Sequence, residues 1–416
     1  MRVILYVMDG VSSLKIRSYN DEQLNEKINK NVPKTYLDKL YQKGFSAKYC
    51  YGFDSTQGSF YSFMTGLNHA HSRVSIARNS NLMDYDKEAT IPSLFKKKGF
   101  RTHYFSNNYM HNPAVITDGF SRVVHDFENY DLSKLRIKED FDDYFGAGDN
   151  NKNIFLTVHD FYTHDQNAQY SKGKYSLTMQ EYEKLIYEHA DLLENNLKAI
   201  KFDEKKDYLF LVSDHGMTVD SDVFRNKGND ESLWSLNSKE LKARVVVNII
   251  GPDIEKYELT SPCTLREVFY TFVDKFELSG SLNRKNLSLL RRPGQNSVFT
   301  INAGNAAINR PSRITFHQFM CITDNREKYI YQDNIGKKAE YYDLKIDLKE
   351  TTPSLVSYPN MPAEFREYIE SYQGTRRFTI RHIIAFISQF ANKGAILFIL
   401  FNFRKIPKYV ISAIRR

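Results

Sequence analysis

Tyr208-Leu-Phe-Leu-Val-Ser-Asp-His-Gly-Met217 decides the fold. Leu209 to Val212 form a short, wholly apolar, β-prone run, the pattern of a strand buried on both faces. Ser213, Asp214, His215 and Gly216 follow at once, so a carboxylate and an imidazole leave the end of a central strand together. In open α/β sheets ligands bind at that carboxyl edge. A bare Asp-His pair is most often a plain turn, so the case for a site rests on partners elsewhere in the chain.

Two such partners end other apolar runs. Residues 3–8 read as a core strand closed by Asp9-Gly10. The run is too short, and lacks a small-residue cleavage site, to be a signal peptide, so the catalytic body is expected in the cytoplasm. Asn153 to Val158 is another strand and ends in His159-Asp-Phe-Tyr-Thr-His164. A fourth group comes from Asp54-Ser-Thr-Gln-Gly-Ser-Phe-Tyr-Ser-Phe-Met-Thr-Gly66, where Ser55 and Thr56 can cap a helix from about Gly58 to Met64. A hydroxyl there faces free N–H groups and the positive end of the helix dipole.

Between these points strands and helices alternate. Phe45 to Phe53 is strand-like, Ile91 to Lys98 a helix and Arg101 to Phe105 a strand. Residues 178–200 carry Tyr182, Leu185, Ile186, Leu192, Leu193 and Leu197 in helical spacing, and Val245 to Ile250 reads as one buried strand. The expected fold is α/β, a sandwich with a largely parallel central sheet. Residues 280–312 are polar and read as loop; 313–346 then alternate as antiparallel hairpins of a small subdomain. The expected organisation is a core over 1–275, a β subdomain over 276–350 and a tail over 376–416.

Composition narrows the class. Of 416 residues 14% are aromatic, which excludes disorder. Three cysteines, Cys50, Cys263 and Cys321, lie far apart in sequence and lack both zinc-site spacing and a disulfide framework. The net charge is +8, yet residues 376–416 hold nine Lys/Arg and no acid, leaving −1 on residues 1–375. The basic balance thus belongs to the tail and gives no reason to expect nucleic-acid binding by the body. With Phe378 to Phe403 largely apolar but broken by charges, the tail suits a helix lying on an anionic membrane surface better than a span. The protein is then expected to be peripheral on the inner face of the membrane.

Taken together, these blocks resemble the alkaline phosphatase superfamily and, within it, the sulfatase-like enzymes. Asp9 after its strand, Thr56 nine residues before Thr65-Gly66, and Ser213-Asp-His-Gly216 carry the match. Gly99-Phe-Arg-Thr, Arg244-Val245, Glu327-Lys-Tyr-Ile and Glu340-Tyr-Tyr-Asp-Leu extend it to about residue 350. The sulfatase signature Cys/Ser-x-Pro-x-Arg is absent around Ser55 and Thr56, and Asp9 is followed by Gly10 rather than a second Asp. Both departures are similar to the phosphodiesterase and phospho-transferase branches.

The resemblance implies a divalent metal ion, zinc or manganese first and magnesium or calcium as alternatives, held by Asp9, Thr56, Asp214 and His215. A second ion would use Asp160 and His164, with His317 as a third ligand. Thr56 would be the nucleophile, forming a phosphothreonine, with His159 or His164 protonating the leaving group. Lys227, Asn108 and Arg244 would contact substrate oxygens. The function expected is a metal-dependent hydrolase or transferase acting on phosphate esters, its substrate a phosphodiester or a lipid-linked or surface glycan. The alternatives are a sulfatase acting on a glycan and an inactive binding protein that keeps the fold.

Overall fold

The computed structural model describes residues 1–53, 56–67, 86–107, 114–124, 153–170, 177–217, 219, 240–278, 285–291, 297–303, 317–332, 338–347, 350 and 352–373. In chain order the core strands are β1 (Arg2–Met8), β2 (Phe45–Ala47), β3 (Cys50–Tyr51), β4 (Arg101–Ser106), β5 (Arg122–Val124), β6 (Ile154–Asp160), β7 (Tyr208–Ser213), β8 (Arg244–Val245), β9 (Val247–Ile250), β10 (Tyr257–Leu259) and β11 (Cys263–Thr264). Eight of them form one sheet in the order β10-β2-β9-β7-β1-β6-β4-β5. The run β7-β1-β6-β4-β5 is parallel, and β9 joins β7 antiparallel.

β1 shows why this sheet is central. Val3, Leu5 and Val7 pack into an apolar layer with Phe60, Phe63, Phe95 and Phe272. Ile4, Tyr6 and Met8 pack on the opposite face, against Leu185, Ile186, Leu193 and Leu197 of the helix Met179–Ala199. Helices cover both faces, so the strand reads as a continuous hydrophobic run instead of an alternating one. That long helix opens with a capping box at Thr178 and Glu181.

A second sheet is antiparallel: β12 (Ser297–Ala303), β13 (His317–Thr323), β14 (Glu327–Gln332), β15 (Lys338–Asp343) and β16 (Ser354–Ser357), in that order. One face packs on the helix Ala363–Gln373 through Phe365 and Ile369; the other packs on Tyr51 and Ala243 of the core.

Two sequence expectations need correction. The stretch 280–312, read as loop, contains β12, whose Ser-Val-Phe-Thr-Ile-Asn-Ala sequence lies among polar flanks and pairs antiparallel with β13. Val245 to Ile250 is not one strand: β8 pairs with β3 in a small three-stranded sheet, and β9 returns to the main one. As expected, the three cysteines form no disulfide, although Cys50 and Cys263, distant in sequence, are direct neighbours across β3 and β11. The tail expected over 376–416 lies outside the described residues. Among the described residues no helix is long and apolar enough to cross a membrane.

Candidate active site

Register brings the site together. Met8 lies level with Asp160 on one side and with Ser213 on the other, and Ser106 lies level with His159. The four parallel strands therefore end at one height, and Asp9, Asn107, Asp160 and Asp214 all emerge from the same edge. The helix Thr56–Thr65 starts above it and sets Thr56 at its first turn.

Asp9, His159 and Asp214 are fully buried, and one ligand atom from each lies within 4.8 Å of the others. Thr56 donates from Oγ1 to Asp9 Oδ2 at 3.0 Å, and the same oxygen lies 3.2 Å from His215 Nε2. His159 Nε2 stands 3.3 Å from Asp9 Oδ2, while its Nδ1 is 2.8 Å from the Tyr104 hydroxyl. The His215 Nδ1 is 2.9 Å from the Gly216 carbonyl, which can only accept. That bond puts the hydrogen of the neutral ring on Nδ1 and turns the Nε2 lone pair toward Thr56.

Close approach fixes the turn after β7. A Cβ on Gly216 would sit 2.1 Å from the Leu241 carbonyl, and one on Gly52 would sit 2.4 Å from the Asp214 carbonyl. Asp214 Oδ1 accepts from the amides of Gly10 at 3.1 Å and His215 at 2.8 Å.

The electrostatics suit a cation. Asp214 Oδ2 and Asp9 Oδ1 are buried and accept no hydrogen bond from the described residues. Burial, reinforced by the charge of Asp9, pushes the Asp214 carboxyl above its ordinary range. Burial acts the same way on Asp9, but His164, His159 and His215 outweigh it and hold that carboxyl well below the usual range. Two buried carboxylates with orphaned oxygens, beside two imidazole nitrogens, form an N/O donor set that fits a divalent ion. Tyr104 stands behind His159 as the outer partner that orients a ligand ring.

Not every expected residue reaches this cluster. Asp160 is turned away: Tyr6 donates to Oδ2 at 2.6 Å, Asn107 and the Tyr162 amide donate to Oδ1, and His189 Nε2 lies 3.3 Å from Oδ2. Burial favours its neutral form, yet His189 and these donors win and lower its pKa. His164 does face the cluster, its ring 6.3 Å from that of His215. Arg244 is fully buried, donating to the carbonyls of Tyr19 and Lys48, so no solvent-borne substrate reaches its guanidinium. Lys227 and Asn108 lie outside the described residues, as does the side chain of His317. Tyr104 was missed by sequence reasoning; a tyrosine in a buried strand carries no signal of its partner.

The Sulfatase family model matches residues 2–256. No curated protein sequence matches the chain. Among solved structures, a 2-O GAG sulfatase superimposes with a TM-score of 0.61 at 13% identity, over 92% of this chain and 93% of that one. The phosphonate monoester hydrolase of Agrobacterium radiobacter gives 0.57 at 13%, over 90% and 95%. An alkaline phosphatase superfamily protein from Vibrio parahaemolyticus gives 0.56 at 14%, over 90% and 88%. At such identities the likeness establishes the fold. The family model spans more than half of the sequence and includes Asp9, Thr56, His159, Asp214 and His215, so the chain belongs to the sulfatase family, with the hydrolase fold of the alkaline phosphatase superfamily.

Proposed function

We propose that the protein is a metal-dependent phosphoester hydrolase or phospho-group transferase whose nucleophile is Thr56. The carrying observation is the Thr56 hydroxyl at a helix start, 3.0 Å from Asp9 Oδ2, beside buried carboxylate oxygens that find no hydrogen-bond donor among the described residues. Asp9, Asp214, His159 and His215 would hold one divalent ion, which when bound makes the hydroxyl acidic enough to ionise near neutral pH. Asp9 Oδ2 accepts the hydroxyl's hydrogen bond and orients its oxygen, while its own carboxyl stays ionised; the Thr56 proton passes to solvent.

Thr56 Oγ1 then bonds to phosphorus as the ester P–O bond breaks. His164 protonates the departing oxygen. His159 is fully buried with contacts on both ring nitrogens, which suits holding Asp9 better than delivering that proton. Water, or an acceptor hydroxyl, next attacks the same phosphorus and Thr56 Oγ1 leaves. The first outcome is hydrolysis and the second transfer.

Phosphorus is favoured over sulfur because no Cys/Ser-x-Pro-x-Arg surrounds Thr56. The sulfatase neighbours keep a second reading open, a sulfuric ester hydrolase; another structural neighbour was solved with its substrate D-glucosamine-2-N,6-O-disulfate. The basic apolar stretch 376–416 supports a lipid-borne substrate. Turnover of nitrophenyl phosphodiester, monoester and sulfate by parent and Thr56→Ala tests the assignment. The phosphodiester should be fastest and the variant at least about 100-fold slower; preferred sulfate turnover, or an unaffected variant, rejects it.

A further inference from the structure

One short segment of backbone touches three loops of the site. The Lys242 carbonyl accepts the Gly216 amide at 2.8 Å, next to Asp214 and His215. The Ala243 carbonyl accepts the Gly52 amide at 2.9 Å, on the approach to Thr56. The Arg244 carbonyl accepts Ser12 Oγ at 3.3 Å, just past Asp9. Three consecutive carbonyls thus hold three loops that are far apart in sequence.

The front of this segment is fixed by the other sheet. Lys328 of β14 points into the interface with the core, where it lies 2.7 Å from Glu350 Oε1 and 3.2 Å from Glu240 Oε1, with no exposed side-chain surface. Glu350 Oε2 accepts the Glu240 amide at 2.6 Å, and Glu240 Oε2 accepts the Tyr51 hydroxyl at 3.3 Å. Arg244 Nε stands 3.9 Å from Glu240 Oε2, so two cations balance two carboxylates. Burial disfavours the Lys328 charge, but Glu350 and Glu240 outweigh it and raise its pKa. A buried ionic cluster is a poor source of net stability, because desolvation consumes most of the attraction. What such a cluster does supply is a fixed position.

We infer that Lys328 is a positioning residue: with Glu350 it pins Glu240, and through the carbonyls of Lys242, Ala243 and Arg244 it sets the relative placement of Asp214–His215, Thr56 and Asp9. The antiparallel sheet is then part of the active-site scaffold, although it contributes no described side chain to the cluster. The inference rests on the proposed function only in taking those loops as the working site.

Hydrogen exchange followed by mass spectrometry tests it without needing metal or turnover. In Lys328→Met, peptides covering 50–53 and 213–217 should exchange at least tenfold faster than in the parent. Phe365→Leu, on the opposite face of the sheet, should leave those peptides at parental rates while lowering the melting temperature. Glu350→Gln keeps the side-chain volume and the acceptor for the Glu240 amide, and should give a rise of at least threefold; it carries the test if Lys328→Met fails to fold. Zinc affinity by calorimetry should fall at least tenfold in Lys328→Met. Parental exchange in Lys328→Met and Glu350→Gln, or equal acceleration in Phe365→Leu, would overturn the inference. Absence of zinc binding in the parent would count against the proposed function and leave the exchange result standing.

Discussion

Asp214→Asn should stabilise the metal-free protein and destabilise the metal-loaded one. The carboxylates of Asp9 and Asp214 offer ligand atoms within 4.8 Å of each other, and two unit charges at that separation repel by about 3.5 kcal/mol at an effective dielectric of about 20. Asparagine is isosteric and keeps Oδ1 as the acceptor for the Gly10 and His215 amides. Its new Nδ2 replaces the orphaned Oδ2, 3.4 Å from His215 Nε2, so the substitution removes charge without opening a void. Asp214 already escapes part of the repulsion through its raised pKa. The net gain without metal is therefore about 1–2 kcal/mol, a few degrees in melting temperature. With metal the order reverses, because the parent gains about 2.7 kcal/mol at a hundredfold excess over Kd and the variant loses a ligand. Melting curves in EDTA and in excess zinc or manganese should cross: variant above parent in the first, below it in the second. A variant that melts lower in EDTA, or keeps the parental metal shift, would refute the placement of a cation between these carboxylates.

Tyr104→Phe removes one oxygen, 2.8 Å from His159 Nδ1, from a fully buried position. Calorimetric metal affinity should drop roughly 10–100-fold and stability by about 1–3 kcal/mol, because the His159 ring loses its outer partner. Gly216→Ala forces a Cβ to 2.1 Å from the Leu241 carbonyl, so the turn must shift; metal binding should be lost even where circular dichroism shows a folded chain. Burial raises the hydroxyl pKa of Tyr6, Tyr19 and Tyr51 well above 10.0. Above about pH 10 the unfolded chain therefore loses protons that the folded one keeps, and stability must fall as pH rises. Lys328 acts in the same direction once pH passes its ordinary value of 10.5. Chemical denaturation at pH 8, 9.5 and 11 should show a falling midpoint only across the last step.

The parallel core and the polar groups at three of its strand ends were legible because buried parallel strands are unbroken apolar runs. Those runs end at Asp9, at His159-Asp160 and at Asp214-His215, and nothing else in the chain gives that pattern so plainly. What the run cannot tell is which neighbour faces the site. Strand side chains alternate, so His159 turns toward the Phe60 face, its ring 4.4 Å from that of Phe60, and Asp160 turns toward Tyr6 and the helix carrying His189. The Asp160–His164 spacing looked like a second metal pair, but the two side chains have different surroundings. Arg244 looked like a substrate contact because its charge is visible in sequence and its burial is not. Lys328 gave no signal at all: a lysine between Glu327 and Tyr329 in a hairpin reads as solvent-facing until Glu240 and Glu350, distant in sequence, are brought to it. β12 was read as loop because its polar flanks conceal a strand that exists through its partner.

The most direct test of the nucleophile is to trap it. Parent protein loaded with zinc or manganese would be mixed with nitrophenyl phosphodiester and quenched in acid during turnover, then digested and sequenced by mass spectrometry. The account predicts a substrate-derived phosphoryl adduct on Thr56 and on no other hydroxyl of its peptide, absent without metal. Sustained turnover with Thr56 unmodified, or an adduct on another residue, would contradict it.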